Sequence, residues 1–117
     1  MAQTSKKINT VLLGLNELNF DYVKQYSKKY GLKGFNKVFK EYKICETNSE
    51  KEHKLLEPWI QWTTIYTGMS YNEHKVFRLG DIVNTNHEQI FESLENKGLK
   101  IGAVSPFNAK NNLSNPA

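Results

Sequence analysis

The sequence predicts an α/β fold, specifically the N-terminal part of a doubly wound, mostly parallel sheet with flanking helices. Two largely apolar runs, residues 8–15 (INTVLLGL) and 99–104 (LKIGAV), are typical of strands that are buried on both faces. Between them, apolar residues recur at helical spacing, and a helix followed by a strand is the unit that extends a parallel sheet. We therefore expect residues 1–117 to form a single partial α/β domain.

Residues 8–15 are the predicted first and central strand, and the polar residues 1–7 before them are expected to be flexible. The strand leads into the polar stretch 16–19 (NELN), at the edge where α/β folds bind their ligands. The alternative role of this stretch is to cap the next helix through Asn16 or Asn19.

Two helices and a strand are predicted after this polar stretch. The first helix spans residues 20–30 and ends at Gly31. A strand with one solvated face follows at residues 43–48 (KICETN), and residues 49–56 form a charged connector. The second helix, between Gly31 and the strand, is indicated by the one-sided spacing of Phe35, Val38, Phe39 and Tyr42.

The central helix is predicted at residues 58–66. Pro58 suits the first turn of a helix, Glu57 before it lies favourably at the positive end of the helix dipole, and Gly68 ends the helix. The polar residues 70–81 that follow have the composition of a functional surface loop. The apolar stripe expected to lie on the sheet consists of Trp59, Trp62, Ile65 and Tyr66.

The last predicted unit is a helix at residues 86–97 followed by the strand 99–104. Asn86 is the expected cap, and Gln89 completes a capping box. Residues 105–117 are rich in Asn, Ser and Pro, and we interpret them as a loop that leads to a missing C-terminal part. The buried stripe of this helix is predicted to be Ile90, Phe91 and Leu94.

The composition, with 38% hydrophobic and 24% charged residues, favours a globular domain over a disordered chain. The net charge of +4 comes from lysines that are scattered or in short runs, without a nucleic-acid-binding motif, so no nucleic-acid partner is expected. No apolar run reaches the roughly 20 residues of a membrane span. The single cysteine, Cys45, suits a reducing compartment, and we predict a soluble cytoplasmic protein.

Residues 58–68 follow the pattern P-x-x-x-W-T-T-x-x-T-G, and His74 lies six residues after the glycine. Together with the preceding strand and its amide and acidic end, this order resembles the start of the alkaline phosphatase superfamily, in its phosphodiesterase, nucleotide pyrophosphatase and sulfatase-like branches. In that family a metal-binding Asp ends the first strand and a nucleophilic Thr or Ser begins the helix. The resemblance covers residues 9–104 and implies an alkaline-phosphatase-like fold.

The resemblance puts the strand-end metal ligand of the family on Asn16, with Glu17 where the family usually has glycine. Asn is a neutral and weaker ligand than Asp for a divalent cation. Either Glu17 supplies the anionic oxygen or the site has lost one metal. Asn16 and Glu17 are therefore the candidate metal ligands, and the resemblance implies zinc or manganese as the cofactor of the full-length protein, although this segment alone need not bind it.

The nucleophile of the family corresponds to Pro58, which has no nucleophilic side chain. A shift by one residue puts Glu57 there, a carboxylate that the helix dipole stabilises and that can act as a base, a metal ligand or a covalent nucleophile. Thr63 and Thr64 lie more than a turn inside the helix, where a structural role is expected. Glu57 is therefore the first candidate catalytic residue.

Arg78 is the second candidate catalytic residue, because families of this type place a phosphate-contacting side chain just past the histidine. A guanidinium can bind phosphate or sulfate through two parallel hydrogen bonds. The alternative is a surface arginine paired with Glu73 or Asp81. For His74 we expect a hydrogen-bonding role in the loop rather than metal binding.

The resemblance implies the N-terminal portion of a metal-dependent hydrolase of phosphate or sulfate esters, on a small molecule, a glycan or a lipid. The portion alone is expected to be inactive, since the remaining metal ligands of the family come from later in the domain. The alternative is a non-catalytic anion-binding or interaction module on the same fold. A small flavodoxin-like domain is disfavoured, because no glycine-rich phosphate loop follows Leu15.

Overall fold

The computed structural model describes residues 10–117 and contains helices and loops, with no β-strand in that range. The predicted α/β fold with a parallel sheet is therefore wrong, since the described residues form an all-helical arrangement. The helices are α1 (Phe20–Tyr30), α2 (Lys33–Glu41), α3 (Pro58–Thr67), α4 (Tyr71–His74) and α5 (Ile90–Asn96), with short 3-10 helices at His53–Leu55 and Asp81–Asn84.

The three segments predicted as strands are extended or irregular loops. Residues 10–15 make no backbone hydrogen bond within the described part of the chain, and Val11 is 87% exposed. In residues 99–104 the carbonyl of Ile101 accepts from Ala117 N at 2.8 Å, but no ladder forms. A run of apolar residues indicates a preference for burial. A strand also needs a neighbouring strand whose backbone forms hydrogen bonds with its N–H and C=O groups. Residues 8 and 9 of the predicted first strand lie outside the described range.

Helix α1 has the predicted bounds, and local capping explains both ends. Asn19 Oδ1 accepts hydrogen bonds from the backbone N–H groups of Asp21 at 2.9 Å and Tyr22 at 3.1 Å. Gly31 ends the helix in the left-handed region with φ of 63°. The capping role of Asn19, one of the two alternatives for the polar stretch, is thus confirmed.

Helices α1 and α2 form an antiparallel hairpin. The small side chain of Ser27 is 1% exposed, and its Oγ lies 3.1 Å from Leu32 O and 2.6 Å from Asn36 Oδ1. Phe20 and Phe39 meet edge to face, with ring centroids 5.8 Å apart. The predicted second helix is therefore confirmed, and its Phe39 packs on α1 rather than on a sheet.

Helix α3 runs one residue beyond its predicted end, with Gly68 as cap at φ of 70°. Its most buried residues are Ile60, Thr63 and Tyr66, whereas Ile65 is 56% exposed. The predicted stripe is thus wrong at Ile65, and the buried face is rotated toward Thr63. A threonine is tolerated there because its Oγ1 donates to Trp59 O at 2.9 Å.

Helix α5 begins later than predicted. Gln89, not Asn86, is its N-cap, and the capping box pairs Gln89 with Glu92. The loop at residues 105–117 lies against the helices, since Asn108 Nδ2 donates to Trp59 O at 2.6 Å. The buried apolar residues around α3 and α4 are Leu55, Ile60, Tyr66, Val76 and Ile82.

The molecule is flat and open for its length. Its radius of gyration is 17.5 Å, and its extents are 57 × 46 × 21 Å. A compact domain of this length has a radius of gyration of about 13 Å. Many large apolar side chains are consequently exposed, including Val11, Leu12, Leu13 and Leu15 of the predicted central strand.

Candidate functional site

The polar stretch that contains the predicted metal ligands is hydrogen-bonded to helix α3. Trp62 Nε1 donates a hydrogen bond of 2.9 Å to Asn16 Oδ1. Two residues earlier, the backbone of Gly14 lies on the same indole ring, so that a Cβ atom there would be 2.7 Å from Cη2 of Trp62. The extended segment 10–15 therefore ends on α3, and one lone pair of the Asn16 amide oxygen is already used.

Glu17 has a backbone conformation that favours glycine. Its φ is 56°, in the left-handed region, which costs a residue with a Cβ atom about 1 kcal/mol. This is the position at which the resemblance expects a glycine. Within residues 10–117 its exposed carboxylate has neither an ion-pair nor a hydrogen-bond partner. The carboxylate is thus available to a cation.

The loop that carries Arg78 is fixed to the first turn of α3. Trp59 Nε1 donates to Phe77 O at 2.9 Å. The next residues form a tight turn, in which Arg78 N donates to Asp81 Oδ2 at 3.0 Å and Asp81 N donates to Arg78 O at 3.2 Å. Trp59 and Trp62, on adjacent turns of α3, therefore tie the Arg78 loop and Asn16 to one helix.

The guanidinium of Arg78 forms no ion pair with any described residue. Asp81 accepts from the backbone of Arg78 instead, and Glu73 accepts from Ser70 N at 2.8 Å and Ser70 Oγ at 2.7 Å. These hydrogen bonds lower the pKa of the Glu73 carboxyl and keep it in the capping box of α4. The surface pairing of Arg78 with either acid is thus not observed.

Glu57 is the N-cap of α3, and its carbonyl accepts from Ile60 N at 2.9 Å and Gln61 N at 3.0 Å. Its side chain forms no capping hydrogen bond, although it is half-buried. Because Pro58 has no N–H, the first turn offers fewer donors than usual to a ligand. The carboxylate of Glu57 is therefore free to face a ligand or a cation at this end.

His74 and Thr64 lie together but cannot form a nucleophile and base pair as arranged. Val76 N donates to His74 Nδ1 at 3.0 Å, so Nε2 carries the proton and donates to Thr64 Oγ1 at 3.1 Å. Burial, and then the nearby His87, lower the pKa of His74 below its usual 6.5. The ring is thus a neutral structural link between the loop and α3, as the sequence favours.

A polar cluster beside α5 is not anticipated by the sequence. The side chain of Gln89 is buried, and it donates to Lys110 O at 3.0 Å and accepts from Lys110 N at 3.2 Å. Lys110 Nζ donates to Thr85 O at 3.1 Å and lies 4.0 Å from Glu92 Oε1. Lys110 lies between 18 and 25 positions from its three partners, so no local pattern could have paired them. Their contacts close the tail onto α5.

The four predicted site residues, Asn16, Glu17, Glu57 and Arg78, do not line either of two open cavities. An open cavity of about 610 Å³ on α1 and one of about 410 Å³ beside α5 are lined by other residues. Within residues 10–117, no three His, Cys, Asp or Glu side chains lie close enough together to hold a metal ion. The described residues thus tie Asn16 and the Arg78 loop to α3.

A scan against protein-family models, a search of curated proteins and a search of solved structures each return no match to this chain. None of the helices between residues 10 and 117 is long and apolar enough to cross a bilayer.

Proposed function

We propose that this chain binds the phosphate or sulfate group of an ester at the N-terminal end of α3, as one portion of a metal-dependent ester hydrolase. The observation that carries the proposal is the hydrogen bond from Trp59 Nε1 to Phe77 O. This bond keeps the residue before Arg78 against the first turn of the helix. An unpaired guanidinium and the positive end of a helix dipole both favour an anion.

In this proposal the other candidate residues act on the bound ester. The Glu57 carboxylate, which forms no capping hydrogen bond, serves as a base or a metal ligand. Asn16 and Glu17 are the residues that would hold the divalent ion. Their amide and carboxylate oxygens are better ligands for manganese than for zinc in a closed structural site. Two ligands are too few to hold the ion, so further ligands must come from elsewhere. When bound, the ion polarises the ester oxygen.

The test is a calorimetric titration of the chain with inorganic phosphate and with sulfate. We expect Arg78→Ala to weaken binding about tenfold or more, and Arg78→Lys to recover only part of it, because lysine lacks the two-pronged geometry. Lys51→Ala is the matched control, since it removes an exposed positive charge from a different segment. Equal binding by wild type and Arg78→Ala would rule the anion site out.

The metal and catalytic parts of the proposal need separate readouts. Manganese and zinc titrations of wild type and Glu17→Ala should differ if Glu17 is a ligand. Hydrolysis of an aryl phosphodiester and an aryl sulfate, assayed with metal, measures turnover, and Glu57→Gln should abolish any that is found. Anion binding without metal binding or turnover would leave the chain a non-catalytic anion-binding module.

A second candidate, an interaction module, is favoured by the surface area of the chain. The chain exposes 10089 Å². A compact monomer of 13.5 kDa exposes about 6,500 Å². The excess on this one chain, about 3,600 Å², is larger than the roughly 1,000–2,500 Å² that each partner contributes to an obligate interface. We infer that a second polypeptide covers residues 10–15 and adjoining apolar surface.

Sedimentation velocity over a range of concentrations tests the interaction module. Leu13 is 74% exposed, so Leu13→Asp should leave the free chain folded but reduce self-association and binding of a hydrophobic dye. A chain that remains monomeric, binds no dye and is unchanged by Leu13→Asp would contradict this second candidate.

A further inference from the structure

The α1–α2 hairpin concentrates the positive charge of the chain. Residues 19–43 contain seven lysines and two acidic residues, a formal charge of +5, whereas the whole chain carries +4. The remaining residues are therefore close to neutral at −1. All seven lysines are exposed. They are Lys24, Lys28, Lys29, Lys33, Lys37, Lys40 and Lys43.

Few of these charges are neutralised within the hairpin. Lys24 lies 3.7 Å from Asp21, and Lys37 lies 3.8 Å from Glu41. Both pairs are long and solvent-exposed, so they contribute little. The other five lysines form no ion pair with a described residue. The hairpin thus presents a positive surface whose charges are available to an anionic partner.

A row of tyrosines lies on one face of α1, and Lys29 lies beside it. Tyr22, Tyr26 and Tyr30 are spaced by four residues on α1, so they share one face, and all are more than half exposed. Tyr26 and Tyr30 stack with centroids 5.6 Å apart, and Lys29 Nζ lies 5.2 Å from the centroid of Tyr30. An open cavity of about 610 Å³ on the same face is lined by Tyr22, Gln25, Tyr26 and Lys29.

We propose that this tyrosine and lysine face of the α1–α2 hairpin binds single-stranded nucleic acid. Lysines attract the phosphates, and exposed aromatic rings provide stacking surfaces for unpaired bases, a combination that recurs in single-strand binding. All three tyrosines expose ring surface on which bases can stack, and the open cavity lies beside Tyr22 and Tyr26. Lys29 lies on the face that carries the rings, and the other lysines add to the positive field of the hairpin.

An anionic membrane surface fits the hairpin less well. Helices that lie in a bilayer interface use Trp, Phe or Leu on the inserted face. Here Phe35 and Phe39 are half-buried within the hairpin, and the exposed ring row consists of tyrosines with polar hydroxyl groups. An acidic peptide would use the charge but leave the ring row without a partner. The combined surface therefore favours nucleic acid.

Fluorescence anisotropy of the full chain with labelled oligothymidylate and oligouridylate tests the proposal. We expect measurable binding below about 100 µM at low salt, with an affinity that falls steeply as salt rises. Tyr26→Ala should weaken binding about tenfold, because it removes a stacking surface. Lys28→Gln/Lys29→Gln should weaken binding and flatten the salt dependence by about one unit or more of slope.

Lys51→Gln/Lys97→Gln is the matched control, because it removes two exposed charges outside the hairpin and should leave the affinity nearly unchanged. Arg78→Ala should also bind normally, which separates this surface from the proposed ester site. Circular dichroism of each variant checks that its helices are kept.

Three results would overturn the proposal. The first is no anisotropy change with either oligonucleotide. The second is binding that Tyr26→Ala leaves intact and that polyglutamate competes as well as the oligonucleotide does. The third is binding to phosphatidylserine vesicles with no binding to oligonucleotides, which would assign the surface to a membrane instead.

Discussion

Trp62 Nε1 donates a 2.9 Å hydrogen bond to Oδ1 of Asn16, which lies 46 positions earlier in the sequence. The contact fastens an exposed apolar segment to the one helix that also anchors the Arg78 loop. Asn16 is thereby a structural acceptor, and any metal it binds must use the second lone pair of its amide oxygen. The same helix thus links the two ends of the candidate site.

Gly14→Ala tests how closely the segment lies on α3. A Cβ atom would come within 2.7 Å of the Trp62 ring, so we expect a loss of about 1 kcal/mol in the free energy of unfolding. Tryptophan fluorescence should shift as the indole becomes hydrated. Gly34→Ala, where no atom lies within 4 Å, is the control and should not destabilise the helix α2. Equal effects of both changes would refute the close contact.

Glu17→Gly should stabilise the chain by about 1 kcal/mol, because a φ of 56° is strained for glutamate and relaxed for glycine. Urea denaturation measures the gain. Glu46→Gly, in an extended loop, is the comparison and should stabilise nothing. If the proposed cation site is correct, Glu17→Gly also loses manganese affinity, so stability and metal binding move in opposite directions. Unchanged or reduced stability would argue against strain at this position.

Asn108→Ala should be among the more damaging substitutions. The Asn108 amide donates to Trp59 O at 2.6 Å and accepts from Gly80 N at 2.8 Å, while only 9% exposed. Leaving these groups without partners should lower the unfolding free energy by about 2 kcal/mol. Asn112→Ala, at an exposed position in the same tail, should have little effect. Similar losses for the two variants would contradict the anchoring role.

Stability should fall on acidification because of His74. Its pKa is lowered by burial and by His87, so the unfolded ring takes up a proton near its usual value of 6.5, before the folded ring does. The contribution of the neutral His74 ring to the free energy of unfolding is complete above pH 6.5. It is lost as the pH falls from 6.5 toward the lower pKa of the folded state.

Urea denaturation at several pH values tests this, with His74→Gln and the exposed His53→Gln as the pair. The loss of stability through this window should shrink in His74→Gln and persist in His53→Gln. An unaltered pH dependence in His74→Gln would show that another group is responsible.

The sequence was a good guide to the helices and a poor guide to the sheet. The bounds of α1 follow from Asn19 and Gly31, and the start of α3 follows from Pro58. Capping and turn preferences act over a few residues, so they can be read locally. The apolar run 10–15 carries no such information, since its pairing depends on partners distant in sequence.

In the candidate site too, the sequence indicates the local features, and only the tertiary structure shows which distant residues meet. Helix positions and the polar stretch after the first apolar run were accessible from the order of residues, whereas the glycine place of Glu17 came only from the family resemblance. The links that organise them were not, because Trp62 with Asn16 and Trp59 with Phe77 join positions that come together only in the tertiary structure. Side-chain hydrogen bonds over such separations depend on three-dimensional approach, which no local preference specifies.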